Sequence, residues 1–513
     1  MSESTAALPH LAGSADDIGD KGLKKNAIGY LSNLVIGVAS TAPAYSLAAT
    51  LGFVVAVRGV GVHAPAVLLV AFVPMLFVAV GYRYLNLADP DCGTTFAWGT
   101  RAMGPWFGWI NGWAIFVADV IVMASLSVIA ASYTYLLFGL SGGASSTPWI
   151  LVGATVWIAL MTWIRYRGIE LSARVQQFLL GAEIVILAAF AIVALAKVYG
   201  SGAPAAALHV HWSWFNPFAM GWSALIDGVL LGIFIYWGWD SGVSVNEETE
   251  ASAEAPGRAA ILSTIILVLI YLIVSASAIA FAGTAYLSNN SDDVLSALGT
   301  QVFGSPWNKL LIIAVLTSAS ASTQTTILPT ARTTLSMARW GAIPKVIGNI
   351  HPRYLTPSVS TLGMGVLSVV WTVVLVAFNK SQDVLGDSIT ALGFSVCFYY
   401  GFTGLFCAVY YRRELFKNWR NFFRAGLLPL LGCLMMFYIF GKAFHDYSET
   451  GAGYAKPLFG IQIPIVIGIG TLLLGIPIMV ICAVKFRDYF KRRPEVAPPG
   501  LLEEQKEHVA VHL

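Results

Sequence analysis

Three acids interrupt long apolar runs. Asp119 stands in Phe116-Val-Ala-Asp119-Val-Ile-Val-Met123, Glu183 follows Gln176-Gln177-Phe-Leu-Leu-Gly-Ala, and Asp240 follows Trp237-Gly238-Trp239. No Lys or Arg stands at a comparable depth in these runs to pair with them. An ionisable group in such surroundings is costly and is read first as functional. It has two outlets: desolvation favours the neutral, protonated acid, or the carboxylate binds a cation. Structural roles stay open beside these, with Asp240 accepting backbone N–H groups and Asp119 satisfied by a neighbouring hydroxyl. A fourth feature is the hydroxyl-rich run Leu316-Thr317-Ser318-Ala-Ser320-Ala-Ser322-Thr323-Gln-Thr325-Thr326. Its hydroxyls either bond back onto their own helix or, with Ser318 and Ser322, help unwound carbonyls hold Na⁺.

Two segments carry breaks at the same relative depth. Asn33-Leu-Val-Ile-Gly37-Val-Ala-Ser40-Thr41-Ala42-Pro43 sets a proline after a glycine and a small polar pair. Proline inside a helix removes a hydrogen bond and clashes one turn back. Gly232-Ile-Phe234-Ile-Tyr236-Trp237-Gly238-Trp239-Asp240-Ser241-Gly242 sets two glycines around an acid and a hydroxyl. Irregular backbone at membrane depth is tolerated only where it is buried or lines a cavity. A matched pair of interrupted segments is the sequence signature of a binding site at the midplane.

The elements that must hold these residues follow from composition. Of 513 residues 57% are hydrophobic and 11% charged, against about 25% charged in soluble domains. About 20 apolar residues span a bilayer as helix. Twelve segments qualify, near 28–56, 64–85, 107–138, 148–164, 173–197, 222–246, 259–285, 307–337, 358–378, 389–411, 425–443 and 463–486. The breaks fall in the first and the sixth. Lys and Arg gather on one side, which holds 24 of the 30, and this division puts both termini in the cytoplasm. Residues 1–26 read as a disordered cytoplasmic tail, 27–487 as the membrane domain and 488–513 as a second cytoplasmic tail. The partners expected are the lipid bilayer and a small molecule.

Other chemistry is excluded or neutral. No stretch is basic enough for nucleic acid. Cys92, Cys397, Cys407, Cys433 and Cys482 lack metal-ligand spacing and read as small core residues. His209 and His211 read as loop residues among interface aromatics. No metal or cofactor and no covalent catalysis is expected, since no nucleophile–base or His/Cys-rich constellation is present.

The ordered motifs resemble the amino acid–polyamine–organocation superfamily of permeases, in its bacterial amino acid permease branch, from Ile28 to about Val484. They are Gly37-Val-Ala-Ser-Thr-Ala-Pro-Ala-Tyr-Ser46, Trp237-Gly238-Trp239-Asp240 with Glu247-Glu248-Thr249, Ala331-Arg332 through Met337-Ala338-Arg339-Trp340-Gly341 to Pro344, and Asp89-Pro90-Asp-Cys-Gly93-Thr-Thr-Phe96. Trp340 stands where the family often has an acid, and Glu250, Glu254 and Pro256 replace its common Lys-Asn-Pro ending. The resemblance implies an all-α membrane fold of twelve helices. Its core is a five-plus-five inverted repeat, about 28–197 and 222–411, with helices one and six broken and two further helices at about 425–486.

On this resemblance the expected function is secondary transport of an amino acid by alternating access, with proton coupling preferred to sodium. The half-helix N–H groups near Ser40, Thr41 and Ala42 would bind a substrate carboxylate, with Gly37 also at the substrate site. Carbonyls near Trp237 and Gly238 would take the α-ammonium, and Phe234, Trp237 and Trp239 would close over the substrate. Asp119 would face the substrate side chain beside Asp240. Glu183, where some relatives carry an ionisable group, would carry the coupling proton. A polyamine or other organic-cation permease, or an exchanger, is the nearest alternative. A sensor would append a soluble domain, and a channel needs no paired breaks.

Overall fold

The computed structural model describes residues 20–291, 293–378, 381–449 and 457–502. Residues 1–19 and 503–513 of the two tails, with Lys380 and Lys456, lie outside the described residues. Among the described residues, twelve helices are long and apolar enough to cross a membrane. Spans 1–6 are Tyr30–Ala56, Gly61–Ala88, Pro105–Leu137, Thr147–Tyr166, Ile169–Val198 and Trp222–Glu248. Spans 7–12 are Ala255–Asn289, Lys309–Arg339, Ser358–Val376, Gly386–Tyr410, Trp419–Ser448 and Ile463–Lys485. Helices are the only open-chain solution in lipid, because each satisfies its own backbone groups.

Spans 1 and 3 form the interior, and spans 4, 11 and 12 turn most of their surface outward. Span 5 shows how sequence sorts the two faces. Phe178, Val185 and Ile192, seven residues apart, are exposed, whereas Gln176 and Glu183 are fully buried on the other face. Spans 1, 2, 3 and 4 pack against spans 6, 7, 8 and 9 respectively. That pairing is the one expected of two intertwined five-span repeats.

Both breaks occur where the residues demand them. Span 1 runs as helix over Tyr30–Ser40, then restarts at Pro43. Ala42 between them is left-handed at φ 48°, and Pro43 opens the second half, where its missing N–H costs nothing. Span 6 is helical over Trp222–Ile235, turns at Gly238 with φ 117°, and continues as a tighter 3-10 segment, Trp239–Glu248. Only glycine adopts that φ without strain.

The ends depart from the tail expectation. Residues 20–26 are not a free leader: Lys21 and Leu23 are buried, and the next residues, Ala27 and Ile28, donate their N–H groups to the Glu248 carbonyl. Beyond span 12, Tyr489, Ala497 and Leu502 are buried as well. A short buried helix, Thr95–Met103, joins spans 2 and 3 at the same Lys/Arg-rich end.

Candidate functional site

The two breaks touch. Ser40 and Ser241 share a hydroxyl–hydroxyl hydrogen bond of 2.8 Å, and Ser322 of span 8 donates to the Ser40 carbonyl at 2.7 Å. A Cβ at Gly238 would stand 2.8 Å from that carbonyl oxygen. Gly37 is tight as well: a Cβ there would stand 2.6 Å from the Ser263 hydroxyl oxygen and 3.2 Å from the Trp239 carbonyl oxygen. Asn33 adds a further tie, donating to the Gly242 carbonyl and the Thr249 hydroxyl at 2.8 and 2.9 Å. Small residues in both spans are what let two unwound backbones meet.

Glu183 enters this junction from span 5. Its Oε1 accepts the Ala44 N–H at 2.7 Å and the Ser318 hydroxyl at 2.8 Å, while its Oε2 has no hydrogen-bond partner. Ser318 in turn accepts the Tyr45 N–H at 3.2 Å. The positive end of the helix restarting at Pro43 is therefore capped by a side-chain acid and a hydroxyl.

Asp119 and Asp240 have other company. Pro329 interrupts the ladder of span 8. The next residue, Thr330, turns its N–H and its hydroxyl to Asp119 Oδ2 at 2.9 and 2.6 Å. Asp240 lies among tyrosines: Tyr400 donates to Oδ1 at 2.7 Å and Tyr399 to Oδ2 at 3.2 Å, with Tyr82 at 3.5 Å. Trp237 donates its indole N–H to the Tyr399 hydroxyl, so a chain runs Trp237–Tyr399–Asp240. Asp119, Glu183 and Asp240 have no Lys or Arg partner among the described residues.

Three expectations change. The N–H groups of Thr41 and Ala42 close back onto the carbonyls of Val38 and Ala39 at 3.2 and 3.1 Å. The donors that leave their own helix are Ala44 and Tyr45, and Glu183 and Ser318 take them. Asp240 is satisfied by hydroxyls from spans 2 and 10, not by freed backbone N–H alone. The aromatic trio also divides. Phe234 lies edge-on to Tyr45 with ring centres 6.3 Å apart, whereas Trp239 is fully buried against Tyr82 and Tyr400 at 5.0 and 5.1 Å. Tyr82, Tyr399, Tyr400 and Thr330 escape sequence reasoning because nothing local in spans 2, 8 and 10 ties them to an acid elsewhere.

The Lys/Arg-rich end is sealed by a buried charged layer. Arg332 of span 8 grips Glu248 with Nε at 2.9 Å and Nη2 at 2.7 and 3.0 Å. Lys21 places its Nζ 2.8 Å from Asp91 and 2.5 Å from Glu247. Asp91, Cys92 and Glu247 bring three potential metal ligands within 4.8 Å of one another, and the chain's own ammonium sits among them. Burial alone would push the Asp91 carboxyl up. The Lys21 ammonium, with hydrogen bonds from Ser336 and the Gly93 N–H, outweighs it and holds the group at about 2. Burial disfavours the Lys21 cation, and Asp91 with Glu247 reverses that, lifting it above its ordinary value. All five cysteines are buried and none is in a disulfide.

The comparisons with known proteins agree with this architecture. A family model described as amino acid permease matches residues 28–484. An uncharacterized transporter of Mycobacterium tuberculosis is 27% identical over 319 residues, 62% of this chain and 65% of that protein. The branched-chain amino acid permease BcaP of Bacillus subtilis is 25% identical over 321 residues, 58% of this chain and 64% of its own length. The low-affinity putrescine importer PlaP of Escherichia coli is 22% identical over 381 residues, 72% and 79%. The match thus spans just under two thirds of the mycobacterial and Bacillus relatives. With twelve spans, two touching breaks and a family match over nearly all of them, the chain is a multi-pass membrane protein that belongs to the amino acid permease family.

Proposed function

We propose that the chain is a secondary transporter that carries an amino acid across the cytoplasmic membrane by alternating access, coupled to protons. The observation that carries this reading is the occupied helix end. Glu183 holds the Ala44 N–H, one of the donors that a substrate carboxylate would seek at the span-1 break. Two carboxylates cannot share one helix end cheaply. A proton on Glu183 removes the conflict, so substrate and proton load together and leave together. Oε2, buried and without a partner, is the oxygen on which that proton would ride. Gly238 and Trp237 would present carbonyls to the α-ammonium, and Phe234 with Tyr45 would cover the bound solute.

Both termini would be cytoplasmic, on the charge rule. An impermeant thiol reagent that modified a cysteine introduced at residue 10 in intact cells would refute this orientation.

A polyamine or other organic cation is the second reading. It is favoured by three membrane-depth acids whose partners are hydroxyls and N–H groups rather than cations. The relatives are divided in the same way, one named for branched-chain amino acids and one for putrescine. A thermal-shift screen of the purified protein separates the two, because a ligand of the folded state raises its melting midpoint. Stabilisation by α-amino acids and not by putrescine supports the first reading, and the reverse overturns it.

A further inference from the structure

We infer that the Lys/Arg-rich end carries a binding site for a phosphate headgroup, supplied by an anionic phospholipid. The site joins residues inside the family-matched region to Arg492, Arg493 and Glu495 beyond its C-terminal end, and does not depend on which solute is carried. Thr100, Arg101, Trp340, Arg492, Arg493 and Glu495 line a cavity of about 110 Å³. Its wall is built rather than incidental. Trp340 is buried, and its indole N–H is pinned to Asp91 Oδ2 at 3.0 Å. The guanidinium carbons of Arg101 and Arg492 stand 5.0 and 4.8 Å from that ring. Arg101 is itself 4% exposed and is held from behind by Asp89 at 2.5 Å.

The cavity already receives an oxyanion. Glu495 places its carboxylate 3.1 Å from Arg101, and its side chain is half exposed. The segment that bears it is tied down by backbone, with the Glu495 N–H on the Arg101 carbonyl and the Ala497 N–H on the Tyr410 carbonyl. Neither Arg492 nor Arg493 has an ion-pair partner among the described residues. A phosphate diester would add the charge that one carboxylate leaves unmatched, and guanidinium forks suit phosphate.

The surroundings say where such a phosphate comes from. Tyr489 and Phe490 dock the cavity onto the start of span 3. Tyr489 donates to the Pro105 carbonyl or shares a bond with the Thr100 hydroxyl, and Phe490 packs on Trp106 at 4.8 Å. Trp106 is 46% exposed, and the last turns of span 12 expose Val480, Ile481 and Val484. Apolar surface for acyl chains thus runs along both spans up to the level of the arginines. Basic pockets directly beyond a membrane helix are suited to anionic headgroups.

Native mass spectrometry of the full chain in detergent tests this, titrated with dioleoyl phosphatidylglycerol, dioleoyl phosphatidylcholine or inorganic phosphate. Phosphatidylglycerol should bind tighter than phosphatidylcholine. Arg492→Gln/Arg493→Gln should weaken it about tenfold or more. Lys485→Gln/Arg487→Gln, with the same charge change outside the cavity, should weaken it less than twofold. Glu495→Gln, which keeps the fold and removes the internal competitor, should tighten it. Equal losses in the two double variants, equal binding of the two lipids, or weaker binding in Glu495→Gln would each overturn the site. Displacement of the lipid by millimolar inorganic phosphate would overturn the lipid as its source.

Discussion

Glu183 Oε1 accepts the backbone N–H of Ala44 at 2.7 Å, so an acid from span 5 caps the half-helix that restarts after the span-1 break. Ser318 of span 8 donates to the same oxygen. Spans 1, 5 and 8 therefore meet at one carboxyl oxygen. On the proposed function, the protonation state of that group would decide whether the helix end offers its positive pole to a second anion.

The contact between the breaks yields a first prediction. Gly238→Leu should abolish uptake while the protein still accumulates in the membrane. Gly238→Ala should already impair it, because a Cβ would stand 2.8 Å from the Ser40 carbonyl and φ 117° strains any L side chain. Gly363→Ala, where a Cβ meets nothing within 4 Å, serves as the control and should transport normally. Uptake normalised to membrane-inserted protein checks this, and unchanged affinity in Gly238→Leu would remove the span-6 break from the site.

The Glu248–Arg332 pair is buried on both sides, at 0% and 1% exposure. Removing one partner of a buried pair costs about 3–5 kcal/mol, because the other charge stays buried and unpaired. Glu248→Gln and Arg332→Gln should each lower the melting midpoint sharply. The double variant should lose less than the sum, since neither charge is left orphaned. Additive losses in a double-mutant cycle would mean that the pair is not coupled.

Lys21 makes a third case. Asp91 sits at about 2 against an ordinary 3.8. A depressed carboxyl contributes stability that is present above its unfolded value and is lost as pH falls through the folded one. In the wild type that loss should fall between about pH 4 and pH 2. Lys21→Met removes the cation that outweighs burial, so the Asp91 carboxyl should rise to or above its unfolded value, and its share of the acid loss between about pH 4 and pH 2 should disappear. Melting midpoints measured from pH 2 to 7, each set against its own value at pH 7, check this; an acid loss as large in Lys21→Met as in the wild type would show that Lys21 does not govern Asp91.

Much of this was legible in the chain. Apolar runs announce all twelve spans, since lipid demands length and hydrophobicity whatever packs behind. Pro43 and Gly238 announce the breaks, since each dictates a local backbone. The span ends are less legible. Span 11 starts at Trp419, not near 425, because a membrane helix keeps its hydrogen bonds beyond the apolar stretch. A hydroxyl partner for Asp119 is one of the sequence readings, but which residues meet the acids was not legible. Tyr399 and Tyr400 look like ordinary aromatics of span 10 until the fold lays them beside Asp240. Lys21 looks like one more leader lysine, because only the tertiary structure brings Asp91 and Glu247 to it.

The most direct measurement uses sealed proteoliposomes and a labelled substrate taken from the thermal-shift screen. A pH gradient, alkaline inside, is imposed alone, and then a sodium gradient alone at equal pH. The wild type should accumulate substrate under the pH gradient. Glu183→Gln keeps the shape of the cap but cannot titrate, so it should still exchange labelled for unlabelled substrate and should fail to accumulate it. The competing arrangement uses the Ser40 carbonyl with the Ser318 and Ser322 hydroxyls as a sodium site. Accumulation under sodium at equal pH that survives Glu183→Gln and is lost in Ser322→Ala would contradict proton coupling through Glu183.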